Sequence, residues 1–412
     1  MLPRIKPLTN LVEEMLNQIP EEIWKSNDTT FLDLAMGGGQ YLNQVIINLR
    51  KYGHSDDNIK SRVFGYEYNQ AHINLGVNMN NLTGNFTKKS YNEILDLDND
   101  IPKCNVVMCN PPFQFRREDG SRGDKAKNLW SRFVYKGLNS LKDDGYLAMV
   151  VPNSWLSPSA DIGKGHNGVN FIRDYFTKGK LIAVNINECG RHFPHQNLAF
   201  SYFIYNNTLT DRHTTKVKTV GDIFEVDFRD IKYFPNEITK HSVSIMNKVL
   251  FSEIEKFPFV STNHKGMVRD IKQDGPYNVF HTSAKDGIKK SPVPSENHKN
   301  KKVIVSSSSV YAPFYDNGQY SCSAMTMSCV LPDDANLANV KSILSSKLYQ
   351  YVIKHTLFGG WVSYEAIRRL PKLDINYHWS NDEIYKEFNL TEEEILDVES
   401  YLYEDGKHPK KK

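Results

Sequence analysis

The sequence predicts a doubly wound α/β sheet followed by a C-terminal mixed α+β domain. Between residues 30 and 205, buried-strand patterns alternate with helical patterns, and a run of three glycines joins the first strand to the next helix. Beyond residue 206 the alternation gives way to short β-prone segments between clusters of Gly, Pro, Ser and Asn. Because strands that alternate with helices are joined by right-handed crossovers, the first half should form a parallel sheet. The 412 residues suffice for two domains of the usual size, about 100 to 200 residues each.

The elements of the first half follow one another in a regular order. Apolar residues at helical spacing from Leu8 to Ile19 predict an opening helix, with Pro7 at its start. Short apolar and β-branched runs that end at turn residues predict the strands. The predicted strands span residues 30–35, 62–66, 84–87, 105–109, 146–151, 181–186 and 200–205, the last of the sheet, and the predicted helices span 41–49, 70–79, 130–141 and 172–176.

The second half is less regular. Strands are predicted at residues 303–306 and 328–331, a helix at 338–357, and a terminal helix at 391–403 that begins with the capping pattern TEEE. The polar segment 208–219 indicates a domain boundary near residue 212. We therefore expect domains at residues 1–212 and 213–378, followed by a helix and a basic tail at 379–412.

Composition excludes several classes of protein. The chain is 40% hydrophobic, 12% aromatic and 24% charged, which is typical of a globular protein and not of a disordered one. Its five cysteines form no CxxC pair, so we expect neither a disulfide framework nor a structural zinc site. This cysteine usage favours a reducing cytoplasm. The sequence has no apolar run of about 18 residues and no signal-peptide pattern, so we expect a soluble protein without a targeting segment.

Positive charge is concentrated in one segment. The net charge of +3 does not by itself indicate a nucleic-acid partner, but residues 264–302 contain nine Lys or Arg against four acids, a local excess of five. This segment either contacts the phosphates of a nucleic acid or forms a solvated face. The lysines that would make such phosphate contacts are Lys285, Lys289, Lys290, Lys301 and Lys302.

The glycine triplet follows a strand that carries Asp33, in the sequence LDLAMGGG. A glycine turn at the carboxyl end of a strand allows backbone to approach a nucleotide-like ligand, although a plain tight turn is an equal alternative. The segment contains neither a P-loop nor GxGxxG, so it does not indicate a phosphate cradle. Glu67 ends the second predicted strand, where a carboxylate can accept hydrogen bonds from ribose hydroxyls. The two features together favour an adenosine-containing cofactor.

The sequence Asn110-Pro111-Pro112-Phe113 directly follows the fourth predicted strand. Two consecutive prolines fix the backbone and leave the Pro111 carbonyl without a ladder partner. The Asn110 side-chain oxygen and this carbonyl could accept both hydrogens of an exocyclic amine, which would expose the lone pair of its nitrogen for attack. Phe113 would stack on the planar group that bears the amine.

These motifs resemble those of N6-adenine DNA methyltransferases that use S-adenosylmethionine, in the gamma arrangement typical of restriction-modification systems. Residues 6–205 are similar by motif, and the general layout extends to residue 373. LDLAMGGG resembles the cofactor loop of the family, FGYEYN its ribose-binding acid, VVMCNPPF its catalytic NPPY/F, and LAMVVPNSWL the following strand and loop. The resemblance implies a Rossmann-like methyltransferase sheet and a C-terminal DNA-recognition domain.

The resemblance also assigns roles to individual residues. KPLTNLVEEML resembles the N-terminal motif that touches the methionine end of the cofactor, with Lys6-Pro7 in place of the usual Thr-Pro. HFPHQNLAFSYFIY resembles the late motif whose aromatic packs on the extruded adenine, which nominates Phe193. After the third strand, where the family often has Asp, this sequence has Ser90 and Tyr91. The remaining cofactor contacts that the resemblance implies are Asp33, Ala35, Gly37, Gly39, Glu67, Tyr68 and Asn110.

The implied reaction is in-line methyl transfer to adenine N6, which needs no metal. The target adenine must first be flipped out of the duplex. The expected partners are double-stranded DNA and, unless the protein acts alone, a cognate restriction endonuclease, in a bacterial or phage-infected cytoplasm. A nuclease fused in front is not expected, because the motif similar to the methionine-contact helix begins within ten residues of the N-terminus.

Two other functions remain as alternatives. Asn-Pro-Pro-aromatic also serves RNA and protein amide methyltransferases, but the large domain after the catalytic half favours DNA. A DNA-binding protein with a decayed catalytic half would account for the second domain. The presence of Asp33, Glu67 and Asn110 speaks against that reading.

Overall fold

The computed structural model describes residues 9–98, 101–112, 129–156, 178–186, 189, 200–209, 214–219, 222–227, 231–233, 235, 237–261, 274–283, 287–308, 310–357 and 361–403. These residues form two compact units, the first up to residue 227 and the second from residue 231. The boundary expected at residue 212 is therefore wrong, since the first unit continues beyond it. The segment after residue 378 is likewise part of the second unit and not a separate one.

One nine-stranded sheet organises the first unit, in the order β3-β2-β1-β4-β5-β7-β6-β8-β9. Pairing is parallel from β3 to β5, whereas β7 runs antiparallel to both β5 and β6. This arrangement confirms the predicted doubly wound sheet. The strands are β1 Phe31–Asp33, β2 Val63–Glu67, β3 Asn85–Lys88, β4 Cys104–Cys109, β5 Leu141–Pro152, β6 Lys180–Ile186, β7 Phe200–Asn206, β8 Thr214–Thr219 and β9 Asp222–Asp227.

Strands β8 and β9 correct the expectation that β7 is the last strand. β8 pairs in parallel with β6, and β9 pairs with β8 as an antiparallel hairpin. The side chains of β8 alternate between exposed and buried, because its outer face meets solvent. The polar side chains on the exposed face explain why the sequence of this segment resembled a linker.

Helices cover the sheet of the first unit. The apolar face of the first helix, with Leu11, Val12, Met15 and Leu16, is completely buried in the same core as the sheet residues Val106 and Met108. The helices are α1 Thr9–Leu16, α2 Glu21–Lys25, α3 Gln40–Lys51, α4 Asp56–Arg62, α5 Gln70–Asn80, α6 Tyr91–Leu95 and α7 Leu129–Asn139, with a 3₁₀ turn at Asn153–Leu156. The predicted helix at 172–176 lies outside the described residues.

The second unit contains two small sheets and a group of helices. The four-stranded sheet has the order β10-β16-β13-β14 and the three-stranded sheet the order β12-β11-β15. The strands are β10 Val260–Ser261, β11 Tyr277–Phe280, β12 Ile288–Ser291, β13 Lys301–Ser306, β14 Phe314–Asn317, β15 Tyr320–Cys322 and β16 Thr326–Val330. The helices are α8 Ser242–Leu250, α9 Leu337–Leu344, α10 Lys347–His355, α11 Tyr364–Arg368, α12 Asn381–Glu387 and α13 Glu392–Tyr403.

The helix predicted over residues 338–357 is two helices, α9 and α10. The break falls at Ser345 and Ser346, and the Ser346 hydroxyl caps α10 by accepting a hydrogen bond from the Tyr349 amide at 3.3 Å. Serine at such a position offers the backbone a cap in place of a continuous helix. Among the described residues, no helix is both long and apolar enough to cross a membrane.

Candidate active site

The sheet order of the first unit reverses at β1, which lies between β2 and β4. The chain runs outward from β1 through β2 to β3 and then continues on the other side with β4. In open α/β sheets, ligands bind outside the carboxyl ends of the strands at such a reversal. Asp33, Glu67 and Asn110 stand at or directly after the carboxyl ends of these three central strands. The topology therefore brings together the residues that the sequence nominated separately.

The glycine loop after β1 is a tight turn held by backbone hydrogen bonds. The Met36 amide donates to the Tyr66 carbonyl at 2.9 Å, and the Gly39 amide donates to the Met36 carbonyl at 2.7 Å. Gly39 has a φ of +81°, and a Cβ atom there would stand 2.2 Å from Cδ1 of Leu82. A side chain at this position would be strained and would clash. Close approach of α3 to its neighbours therefore requires glycine here.

The two predicted carboxylates are buried and bind this loop. The Asp33 side chain accepts a hydrogen bond from the Ala35 amide at 3.0 Å. Glu67, with none of its surface exposed, accepts from the Gly37 amide at 2.9 Å through Oε2 and from the Asn69 amide at 3.0 Å through Oε1. A ribose hydroxyl would reach the Glu67 carboxylate only after the loop had opened around it.

An aromatic surface lies beside Glu67. The Tyr68 ring, in a residue that is 45% exposed, has its centroid 4.9 Å from that of Tyr91, which is 5.8 Å from that of Phe133. The two tyrosines nominated from the ends of different strands are thus in contact. Such a surface can pack against a planar ring.

Ser90 has a structural role in the described conformation. Its hydroxyl accepts a hydrogen bond from the Glu93 amide at 3.3 Å, and the Glu93 carboxylate accepts from the Ser90 amide at 2.7 Å. This reciprocal arrangement is a capping box at the start of α6. A cofactor contact by Ser90 stays a prediction.

Asn110 and the two prolines leave the sheet at the end of β4. The last pairing of β4 with β5 joins Cys109 to Met149. Asn110 is half-buried, Pro111 is buried and Pro112 is half-buried. Because proline has no backbone N–H, the ladder cannot continue through these positions. The chain therefore leaves the sheet at Asn110 on a rigid support.

Several nominated residues lie outside the described part of the chain. They comprise both residues of the N-terminal cofactor motif, both aromatic residues assigned to the target base, and one DNA-binding lysine: Lys6, Pro7, Phe113, Phe193 and Lys285. Their assigned roles stay predictions.

Sequence reasoning missed the contacts of two half-buried residues, one beside Glu67 and one on α1. His72, on the first turn of α5, has Nδ1 3.4 Å from Oε1 of Glu67. Glu14, on α1, accepts hydrogen bonds from the Tyr202 hydroxyl at 2.7 Å and the Asn185 amide at 3.0 Å, and it forms a 2.9 Å ion pair with Lys218. One feature of the sequence could have identified Glu14: it is an acid that lies between apolar positions of a predicted amphipathic helix.

The environment of Glu14 favours its ionised form. Burial by itself raises the pKa of this carboxyl, but the hydrogen bonds from Lys218, Tyr202 and Asn185 outweigh burial, and the pKa is lowered. Burial and the hydrogen bond to Glu14 raise the pKa of the Tyr202 hydroxyl. The carboxylate thus ties α1 to β6, β7 and β8 at neutral pH.

The nominated lysines of the second unit differ in their surroundings. Lys302 is completely buried, and its ammonium lies 2.5 Å from the Asp316 carboxylate and 3.0 Å from the His298 and Asn300 carbonyls. Its assignment to DNA binding is therefore wrong, because no phosphate can reach it. The Lys301 ammonium donates to the carbonyls of Asp333 and Ala335.

Lys289 and Lys290 are placed differently, on strand β12. Lys289 is half-buried and Lys290 is exposed, as expected for neighbours on a strand. Phosphate contact by these two lysines and by Lys301 stays a prediction. The described residues contain no cluster of three or more His, Cys, Asp or Glu that could hold a metal ion.

Comparison with known proteins connects this architecture to restriction-modification enzymes. The family model of Eco57I restriction-modification methylases matches residues 28–171, which include the glycine loop, Glu67 and Asn110. An uncharacterized adenine-specific methylase from Mycoplasma pneumoniae is 27% identical over 163 residues, or 37% of this chain and 36% of that protein. The resemblance that the motifs indicated is confirmed for this region. The match spans little more than a third of the relative.

A solved structure is similar over a longer region. The ATP-dependent Type ISP restriction-modification enzyme LlaBIII, solved bound to DNA, aligns with a TM-score of 0.54 and 9% identity. The alignment covers 94% of this chain and 39% of the larger one. At this identity the likeness concerns the fold alone. It extends the structural similarity across both units of the chain.

Proposed function

We propose that this protein is a site-specific DNA adenine methyltransferase, which transfers a methyl group from S-adenosylmethionine to N6 of an adenine flipped out of duplex DNA. The observation that carries the proposal is the position of Asn110-Pro111-Pro112 at the carboxyl end of β4. It adjoins the strand whose carboxyl end holds Asp33 and the glycine loop. The family match over residues 28–171 supports the proposal, and so does the name of the bacterial relative.

The residues at the end of β1 and β2 fit S-adenosylmethionine chemically. The ribose would bind the Glu67 carboxylate, and the adenine ring of the cofactor would pack against the surface formed by Tyr68 and Tyr91. Asp33 would act mainly by ordering the loop through its hydrogen bond from the Ala35 amide. The bound cofactor supplies an activated methyl group. Opening of the loop around the buried Glu67 would accompany binding.

Asn110 and Pro111 would orient the amine that accepts the methyl group. With the two hydrogens of adenine N6 donated to the Asn110 side-chain oxygen and the Pro111 carbonyl, the nitrogen lone pair points out of the ring plane. The prolines hold both acceptors in place before the substrate arrives, so little reorganisation is needed during the reaction. Phe113 and Phe193 would stack on the extruded base and offset part of the few kcal/mol that flipping costs.

The second unit would recognise the DNA sequence. Methylation at a specific site requires that the enzyme also read the bases next to the target adenine. The first unit would bind the cofactor and the flipped base, so the second unit would supply the surface that reads the neighbouring bases. The protein would act alone or with a cognate restriction endonuclease, in a bacterial or phage-infected cytoplasm.

Transfer of a labelled methyl group tests the function. The full chain is incubated with methyl-labelled S-adenosylmethionine and, separately, with duplex DNA, RNA and a protein extract. We expect label in DNA alone, and nucleoside analysis should identify N6-methyladenine. Label in RNA or protein, or N4-methylcytosine as the product, would contradict the proposal. Cofactor binding without any transfer would favour a decayed enzyme.

A further inference from the structure

Three strand ends of the second unit meet at one edge. The pairing of β11 with β15 sets Phe280 beside Cys322, so His281 and Ser323 follow side by side, and His281 Nδ1 lies 2.9 Å from Ser323 Oγ. The end of β13 joins them, because the Ser307 amide donates to the Met325 carbonyl at 2.8 Å. Segments distant in sequence thus form one surface.

A fourth segment, which carries an exposed tryptophan, is attached to this surface. The Val362 amide donates to the Ser307 carbonyl at 3.2 Å, which places Trp361 beside the end of β13. Trp361 is 55% exposed and Val310 is 57% exposed, and the Ser283 hydroxyl reaches the Val310 carbonyl at 3.4 Å. Two exposed apolar side chains on segments attached to Ser283 and Ser307 are thus held at one edge, an arrangement that suits an interaction surface. We call residues 281–283, 307–308, 310, 323–325 and 361–362 the carboxyl-end edge.

The charge around this edge suits a polyanion. The carboxyl-end edge contains no Asp or Glu, and Lys289 is one position from Ile288, which pairs with Phe280. The opposite end of β13 is different, because Lys301 and Lys302 are there bound to carbonyls and to Asp316, with Asp333 and Asp334 exposed nearby. Carboxylates at that end would repel DNA phosphates.

The chemistry of the edge also suits recognition of bases. Serine and threonine hydroxyls can donate to or accept from base edges, and apolar side chains contact the thymine methyl group. Burial and the neighbouring Lys289 lower the pKa of His281, so its imidazole is neutral near pH 7. A neutral imidazole has one donor and one acceptor. It is therefore better suited to reading bases than to neutralising phosphate.

We infer that the carboxyl-end edge is the surface that reads bases of duplex DNA, with Trp361, Val310, His281 and Ser308 as its contact residues. The inference rests on the proposed function and adds the location of its sequence recognition. Lys289 and Lys290 would bind flanking phosphates, which positions the edge without specifying sequence.

Hydrogen–deuterium exchange of the full chain tests the location. On addition of mixed-sequence duplex DNA at low salt, we expect slower exchange in residues 281–283, 307–308, 323–325 and 361–362. Residues 301, 317–318 and 330, at the opposite end of the sheets, serve as an internal control and should not change. Protection at the opposite end, or equal protection of the carboxyl-end edge by duplex RNA, would overturn the inference. Because this measurement requires no methyl transfer, its outcome is independent of the label-transfer test.

Two variants test the role of the edge in recognition. Trp361→Ala should lower kcat/KM for DNA by at least about tenfold, the discrimination that one good base contact provides, while the Kd for S-adenosylmethionine stays unchanged. Leu396→Ala, on the last helix and 67% exposed, is the matched control and should behave as wild type. Val310→Ser gives a second variant in case Trp361→Ala does not fold. Wild-type kinetics and an unchanged map of methylated sites in both edge variants would overturn the inference.

Discussion

The Asn110 side chain is the single group on which the proposed reaction depends most. It follows β4 directly and is only half-buried, so its replacement should leave the sheet intact. Asn110→Ala removes one of the two acceptors of the amine, and we expect turnover to fall about 10²- to 10³-fold, as for other preorganised polar groups. Initial rates of label transfer measure the effect, and calorimetry should show an unchanged Kd for S-adenosylmethionine.

An exposed asparagine on a nearby helix provides the control for that variant. Asn92 lies on α6 with its side chain exposed, so Asn92→Ala should retain wild-type turnover. If Asn110→Ala kept its rate within a few fold of wild type, the assignment of the amine acceptor would be wrong.

The Lys302 ammonium forms a buried ion pair with Asp316 and not the expected contact with DNA phosphate. A buried ion pair holds neighbouring strands together, and removing one partner leaves an uncompensated charge. Lys302→Met should therefore destabilise the second unit by about 3–5 kcal/mol, measured by urea unfolding. Lys290→Met, at an exposed position of β12 in the three-stranded sheet, should change stability by less than about 0.5 kcal/mol. Equal stability of the two variants would show that the buried pair contributes nothing.

At the scale of elements, α1 is attached to the large sheet both by apolar packing and by a charged side chain. Its apolar face enters the core, and Glu14 on the adjacent face binds side chains of β6, β7 and β8. The predicted cofactor motif immediately precedes this helix. Glu14 therefore fixes the position of α1 against these three strands.

Replacing Glu14 with Gln tests this anchor. The variant loses the ion pair and the ionic component of two hydrogen bonds, which should cost about 1–3 kcal/mol of stability at neutral pH. Because the pKa of Glu14 is lower in the folded state than the ordinary value of 4.5, its contribution is present above pH 4.5 and is lost as the pH falls through the lowered pKa. The difference in melting temperature from wild type should accordingly be large at pH 7 and shrink in acid.

The neighbouring acid makes a close control. Glu13 is exposed on the same helix, so Glu13→Gln should melt like wild type at each pH. A pH-independent difference for Glu14→Gln would mean that the helix is anchored by packing alone.

The order of the first strands and helices could be predicted because each is buried and continuous. Strand β1 is entirely buried, and its apolar sequence ends at a glycine turn, so sequence pattern and structure agree. The contacts of Glu67 with Gly37 and of Lys302 with Asp316 could not be predicted, because the partners lie 30 and 14 residues away along the chain. The sequence shows that an acid ends a strand; it does not show that the acid binds the preceding loop at Gly37. Likewise, a lysine-rich segment does not show which of its lysines are buried in the folded protein.

At the scale of the whole molecule, the position of the domain boundary has a direct consequence for dissecting the chain. Strand β8 buries Val217 completely, and the Thr215 hydroxyl donates to the Leu181 carbonyl at 2.7 Å. A fragment that ends at residue 212 lacks both contacts, the Lys218–Glu14 pair and the strand that covers β6. A fragment that ends at residue 230 retains them.

We expect the fragment of residues 1–230 to unfold cooperatively and to bind S-adenosylmethionine with nearly the affinity of the full chain. The fragment of residues 1–212 should be less stable by at least about 2–4 kcal/mol, the sum of one buried apolar side chain and one buried hydrogen bond. Its exposed β6 edge should also promote aggregation. Urea unfolding and sedimentation compare the two fragments under the same conditions. Equal stability and solubility would mean that the β8–β9 hairpin, although paired with the sheet, is not required by it, and the boundary would return to residue 212.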